Sequence, residues 1–456
     1  MSTYVIIIAA AVIIILSFIF NIISNKTNIP SVLMLIILGV IIQLTIWAPN
    51  TDAKDSQLMM GLEILGNVGL IFIVLEAALD LKLRREKIGM IFKSFIVAFF
   101  ALILSSFAIA SLFMLLWFEP QSANNVNWIT SLMYAVPLSI MSSAIIIPSV
   151  SRLMKEKKEF MIYESTFSDI LGIMFFYFLK DNRHVESASE IFKEVSFNIG
   201  ATVLIAVFIS YLLVILFQKL KMQAKYFLMF SVLVLLYAIG KMFHISSLVI
   251  ILFFGLILNN SKLFFIGPLK RFTAGEKLKE SLHELHVITL ETAFVLRTFF
   301  FVVFGITISI SSLFDWRYGL ISLVIVCVLF IVRLILLRLF SGKDIFPQLW
   351  IAPRGLITVL LFFSIPNGWV DIQGDFLDYY NAKFDCTISF FDQGILLHTI
   401  ILTSLIMTIS LIMNRGEKVK DVLIDSIKLK SNQNMMSDKI EEALSNNESH
   451  QNQKEE

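Results

Sequence analysis

From Tyr4 to Met413 the chain is a succession of apolar runs about twenty residues long, with most of its charge confined to the short stretches between them. A run of that length crosses a bilayer as a helix, and only helices or closed barrels satisfy every backbone N–H and C=O in lipid. Continuous runs, in place of the alternation of a barrel strand, select helices. The runs fall near residues 3–23, 31–47, 60–80, 89–117, 129–150, 161–180, 198–218, 226–242, 246–259, 287–310, 318–340, 348–366 and 394–413. This predicts an all-α polytopic membrane protein of about thirteen spans. Composition agrees, since 57% hydrophobic and 16% charged residues lie far from the balance of a soluble enzyme.

Charge orients the spans. With the N-terminus outside, the internal loops hold Lys82, Arg84, Arg85 and Lys87, then Arg152, Lys155, Lys157 and Lys158, then Lys219, Lys221 and Lys225, and finally Lys270, Arg271, Lys277 and Lys279. The last external loop is acidic, with Asp371, Asp375, Asp378, Asp385 and Asp392 against Lys383. This follows the positive-inside rule, and an odd number of spans leaves the tail inside. Residues 1–414 then form the membrane domain and residues 415–456 a short, partly disordered cytoplasmic tail, rich in Lys, Glu, Asn and Gln. The first run lacks a basic leader and a small-residue cleavage site, so it reads as a retained span. The amphipathic stretch from Asn260 to Glu284 is expected along the membrane surface. A net charge of +2 gives no reason to expect a nucleic-acid partner. Cys327 and Cys386 have neither disulfide nor metal-ligand spacing and read as structural.

Two spans are interrupted. Pro137 and Pro148 bracket Ser139 to Ala144 in the fifth, and Ala352-Pro353-Arg354-Gly355 breaks the twelfth. If the seventh span is a linker, each broken span is fifth in its half, the pattern of inverted repeats whose broken helices meet at a central ion site. The alternative is two unrelated proline kinks.

Ionisable residues inside these apolar spans point to chemistry, because a charge at the bilayer centre costs about 2.5–3.5 kcal/mol even on lenient scales. The sixth span carries Glu164-Ser165-Thr166-Phe167-Ser168-Asp169. Ser165, Ser168, Asp169 and Gly172 form one small and polar helical stripe, while Glu164 lies about 140° from Asp169 around the helix. Asp169 can therefore face a cavity while Glu164 faces a neighbouring helix. Arg333 is the first candidate partner for Glu164 and Arg297 the rival; Glu76 pairs with Arg297 or with water near the site. For each, the alternative is an ion pair that only holds helices in register.

Glu164 to Asp169 resembles the ESLLND stretch of monovalent cation/proton antiporters of the Na+/H+ exchanger type, with Ser168 in place of the Asn. Leu75-Glu76-Ala77-Ala78-Leu79 resembles that family's FEAGL segment, and Phe300 to Gly305 its FxxxG. Arg333 matches the arginine of the eleventh span, and Ala352 to Gly355 is similar to GLRG. The resemblance implies Asp169 as the carboxylate that exchanges cation for proton, Glu164 with Arg333 as a structural salt bridge beside it, and Glu76 as an accessory acid. It implies that Arg354 compensates the facing half-helix ends. Ser142 and Ser143 stand where many exchangers have Thr-Asp, as in a sister branch with SSTA-like sequence. That branch typically has paired aspartates in the sixth span and lysine in the eleventh.

The expected function is then transport, not enzymatic catalysis, and no cofactor is expected beyond the transported ions. A proton and a dehydrated alkali cation compete for Asp169, with Ser142, Ser143, Ser168 or backbone carbonyls completing the shell, in electroneutral 1:1 exchange. Na+ or Li+ is the first choice and K+ the runner-up; a non-transporting sensor or a channel is the alternative class. Resemblance further implies a homodimer in the plasma membrane. A pH-sensing role for His283, His286 or His398 is a weaker possibility.

Overall fold

The computed structural model describes residues 3–27, 29–47, 56–83, 85–116, 128–150, 153–181, 204–216, 225–242, 247–265, 276–307, 316–342, 344–365 and 393–414. Among these the secondary structure is helical, without strands. In chain order the helices are α1 (Thr3–Thr27), α2 (Ser31–Ile42), α3 (Ser56–Asp80), α4 (Ile88–Leu116), α5 (Trp128–Ser139), α6 (Ser143–Ser149), α7 (Lys155–Asp181) and α8 (Leu204–Leu216). They continue as α9 (Lys225–Met242), α10 (Ser247–Asn259), α11 (Ser261–Phe264), α12 (Glu276–Thr307), α13 (Trp316–Ser341), α14 (Leu356–Phe363) and α15 (Gln393–Met413). Seven spans are long and apolar enough to cross a membrane, with four shorter apolar helices beside them. α3 and the interrupted segment 344–365 bring the total to the thirteen units expected.

Local sequence sets the boundaries. Pro30 cannot extend a helix and separates α1 from α2. Pro137 and Pro148 sit inside α5 and α6, each removing a backbone donor, and the chain leaves the helix between them at residues 140–142. The twelfth span is a 3-10 turn, Gln348–Trp350, then extended residues 351–355, then α14. One expectation needs correction. The stretch from Asn260 to Glu284, expected along the membrane surface, is divided: Ser261–Phe264 forms α11, residues 266–275 lie outside the described residues, and residues 276–284 begin α12, which runs unbroken for 32 residues. Glu276 to His286 contains neither Gly nor Pro, so nothing stops the tenth span from continuing past the apolar run.

The helices pack as two groups. α1, α2, α3, α9, α10 and α12 form one, in which α12 lies against both α2 and α3, and α10 against α3. α4, α5, α6, α7, α13, α14 and α15 form the other, built on close α4–α5, α4–α7 and α13–α15 packing. Contacts between the groups are sparse and involve chiefly α3, α7, α10 and α14. In the first group α2 and α12 touch backbone to backbone. A Cβ on Gly39 would meet the Val302 carbonyl and lie 2.8 Å from Gly305 Cα. Small residues allow such an approach, and this one fixes the frame on which α3 rests.

The link from α3 to α4 joins the two groups and is gripped from both. Asn260 Nδ2 donates to Leu81 O (2.8 Å) and its Oδ1 accepts from Leu83 N (2.7 Å), while Asn259 Nδ2 donates to Leu79 O (2.6 Å). These amides satisfy backbone groups left open where α3 ends. From the other group, Tyr163 on α7 donates its hydroxyl proton to Lys82 O at 2.9 Å.

Candidate functional site

The site lies where the two breaks cross. Ser142 N donates to Pro353 O at 2.9 Å, so the extended segments touch through their backbones. That approach requires Gly355. An added Cβ would collide with the Ser142 hydroxyl and come within 2.8 Å of Ser142 Cβ and 2.9 Å of Ile145 Cδ1. The small stripe of α7 leans on the first break in the same way: Ile140 packs onto Gly172, leaving no room for a larger residue.

Asp169 comes off that stripe and is 2% exposed. Its Oδ2 accepts from Ser143 N–H, the first residue of α6, at 3.0 Å. Its Oδ1 is buried with no hydrogen-bond partner among the described residues. Asp169 also borders a small cavity lined by Ile73, Val74 and Ala77 of α3, Ile173 and Met174 of α7, and Leu248, Val249 and Leu252 of α10. The cavity sits between the two helix groups and has room for about one water-sized guest. Its walls are otherwise apolar, so the carboxylate is its charged feature.

The three serines meet at the breaks through different atoms. Ser143 supplies the N–H to Asp169, and Ser142 supplies the backbone crossing. Ser168 Oγ accepts from Met141 N at 3.0 Å, tying α7 to the break. Its hydroxyl is thereby engaged in holding the broken backbone.

Glu164 points away from this cavity, as its offset around α7 requires. It is fully buried and meets Arg333 of α13 in a two-point contact, Nη1 to Oε1 at 2.6 Å and Nη2 to Oε2 at 3.1 Å. Arg333 also donates from Nε to Leu349 O (3.1 Å), from Nη2 to Gln348 O (2.9 Å) and from Nη1 to Met141 Sδ (3.0 Å). The guanidinium thus caps the carbonyls of the 3-10 turn, where a cation suits the end of a helical segment. Arg354 lies in the second break, 4% exposed, with its N–H on Thr403 Oγ1 at 3.1 Å. Its Nε and Nη1 have no hydrogen-bond partner among the described residues.

Arg297, the rival partner for Glu164, belongs to the other group. Its Nη2 donates to Glu76 Oε2 at 2.7 Å, joining α12 to α3. One turn along α3, Asp80 Oδ1 lies 2.8 Å from His286 Nε2 of α12. Asp80 escaped the sequence reading because it ends its apolar run, although its i+4 spacing from Glu76 was the available signal. Lys180 was also missed; it donates to Ser364 O at 2.6 Å at the end of α14. His283 is exposed on α12, and His398 Nδ1 lies 2.8 Å from Gly394 O within its own helix. Cys327 lies exposed on α13. Arg84, Arg152, Lys219, Lys221, Lys270, Arg271, the acidic stretch 371–392, Cys386 and the tail from residue 415 lie outside the described residues.

A buried carboxylate with one oxygen hydrogen-bonded thus stands beside two crossed breaks. Residues 10–413 match the family described as the transmembrane sodium/hydrogen exchanger. The chain belongs to this family. It is a multi-pass membrane transporter, an antiporter and not an enzyme. Its fold is similar to that of the sodium proton antiporter MjNhaP1 from Methanocaldococcus jannaschii, determined at pH 8, with a TM-score of 0.63 and 19% identity over 91% of this chain and 97% of that one. An electron-microscopy structure of the same antiporter aligns with a TM-score of 0.60 and 18% identity, over 92% of this chain and 98% of the other. At that identity the likeness concerns the fold. No curated protein matches the chain by sequence.

Proposed function

We propose that the chain exchanges Na+ or Li+ for H+ by competition at Asp169, in an electroneutral 1:1 cycle. The observation that carries this reading is the Asp169 carboxylate itself. One oxygen is held by Ser143 N–H, and the other is buried, without a hydrogen-bond partner among the described residues, and the carboxylate borders a cavity between two helix groups. A carboxylate left in this state gains from either a proton or a hard cation, and the two cannot share it.

The charge inventory supports electroneutrality. Glu164 is neutralised by Arg333 and Glu76 by Arg297, so of these three carboxylates Asp169 is the one without an ion pair among the described residues. Bound Na+ and bound H+ each add one positive charge to the same site. The two loaded forms are therefore electrically equal, and a potential favours neither half of the cycle. Alternating access fits the sparse contact between the helix groups, with Asp169 on one and Ile73, Val74 and Ala77 of the cavity wall on the other. The same reading takes the N-terminus as external, the tail as cytoplasmic and the protein as a plasma-membrane homodimer.

The experiment uses everted vesicles that hold the protein and a pH-gradient dye, with Na+, Li+ and K+ added in turn. Na+ and Li+ are expected to dissipate the gradient, with no change when the membrane potential is collapsed by valinomycin and K+. Dissipation by K+ alone would replace the cation in this reading. No response to any of the three, from correctly inserted protein at several pH values, would overturn it.

A further inference from the structure

A second intramembrane acid, Glu76, belongs to α3, the helix that forms one wall of the Asp169 cavity. Ile73 and Ala77 line that cavity, and Glu76 lies about 60° from Ile73 around the same helix. In sequence Glu76 falls between Val74 and Ala77, which line that cavity together with Asp169. Were Glu76 to take part in exchange beside Asp169, the cycle would move net charge.

Arg297 stands against that. Its guanidinium binds Glu76 at 2.7 Å, both side chains are largely buried, and Arg is effectively never deprotonated. Asp80, one turn along α3, pairs with His286 and not with Arg297. A permanent cation thus satisfies Glu76 without a proton and without a transported ion. We infer that Arg297 is a positioning residue that sets the charge stoichiometry: it holds Glu76 out of the exchange and leaves Asp169 to cycle alone. The inference rests on the reading of Asp169 as the exchanging carboxylate.

Reciprocal consequences follow. In Arg297→Gln, Glu76 has lost its cation and takes a proton, or a share of the entering ion, in its place. When that proton leaves together with the Asp169 proton as Na+ enters, two protons cross for one Na+, one net charge moves per cycle, and exchange becomes sensitive to potential. In Glu76→Gln, the freed guanidinium competes with Na+ for Asp169, and the KM for Na+ rises about tenfold, the scale of coupling between contacting charged groups. Removing both side chains cancels both effects.

The test is Na+-driven proton flux in proteoliposomes containing purified wild type, Arg297→Gln, Glu76→Gln, the double variant or Asp169→Asn. Flux is measured at zero potential and at about −100 mV, where one charge crossing the membrane is worth about 2.3 kcal/mol. Wild type and the double variant are expected to show equal rates at the two potentials, and Arg297→Gln a several-fold difference. A potential-independent Arg297→Gln, or a double variant that keeps the sensitivity, would overturn the inference. Should Arg297→Gln not fold, the Glu76→Gln measurement decides: an unchanged KM for Na+ is the contrary result. Residual flux in Asp169→Asn would instead defeat the reading of Asp169, whatever Arg297 does.

Discussion

Arg333→Ala is expected to destabilise the protein by about 3–5 kcal/mol, the usual cost of stripping one partner from a buried ion pair. Glu164 would be left fully buried with its carboxylate uncompensated. The loss would not stop there, because the same guanidinium caps Gln348 and Leu349 carbonyls and reaches Met141, so it ties α7, α13 and both breaks together. Glu164→Gln combined with Arg333→Met removes both charges and should cost much less than Arg333→Ala alone, which separates the ion pair from simple packing. Denaturant unfolding in detergent, followed by helix signal and monodispersity, checks both. Wild-type stability in Arg333→Ala would mean that this pair does not hold the crossing together.

Asp169→Asn is expected to reduce cation-driven proton flux to the level of empty vesicles while leaving the fold intact. An Asn carbonyl can still accept the Ser143 N–H, so the tie between α7 and α6 survives. What disappears is the titratable oxygen beside the cavity. A second signature follows from linkage. A ligand at about 100 times its dissociation constant stabilises the protein that binds it by about 2.7 kcal/mol. Na+ should therefore raise the unfolding midpoint of wild type, and not that of Asp169→Asn. An equal Na+ effect in both would move the cation away from Asp169.

Much of this arrangement was legible because membrane spans restrict what a charge can do. Glu164 and Arg333 both sit in the middle of apolar runs, and each needed a counter-charge that lipid cannot supply. The offset of Glu164 from Asp169 around one helix separated their surroundings before any coordinates, and Pro137, Pro148 and Pro353 marked the breaks. Partner choice was less legible. Glu76 could have met Arg297 or water, and the pairing is decided by how α3 lies on α12. The tie from Ser168 to Met141 N–H was also hidden, because the donor is a backbone group freed where the helix stops. The asparagine grip on the α3–α4 link was hidden for a similar reason. Asn259 and Asn260 simply end an apolar run in sequence, and the backbone groups they satisfy lie about 180 residues away, at Leu79 to Leu83.

The most direct test of competition at Asp169 is the initial rate of Na+ tracer uptake into proteoliposomes over a matrix of Na+ concentrations and pH values, with the potential held at zero. If H+ and Na+ exclude each other at one carboxylate, lowering the pH on the uptake side must raise the KM for Na+ and leave the maximal rate unchanged. In the proton-saturated range the KM should rise about tenfold per pH unit, as one proton competing for one site requires. A KM that stays constant with pH while the maximal rate falls would contradict competition and place the proton at a different group.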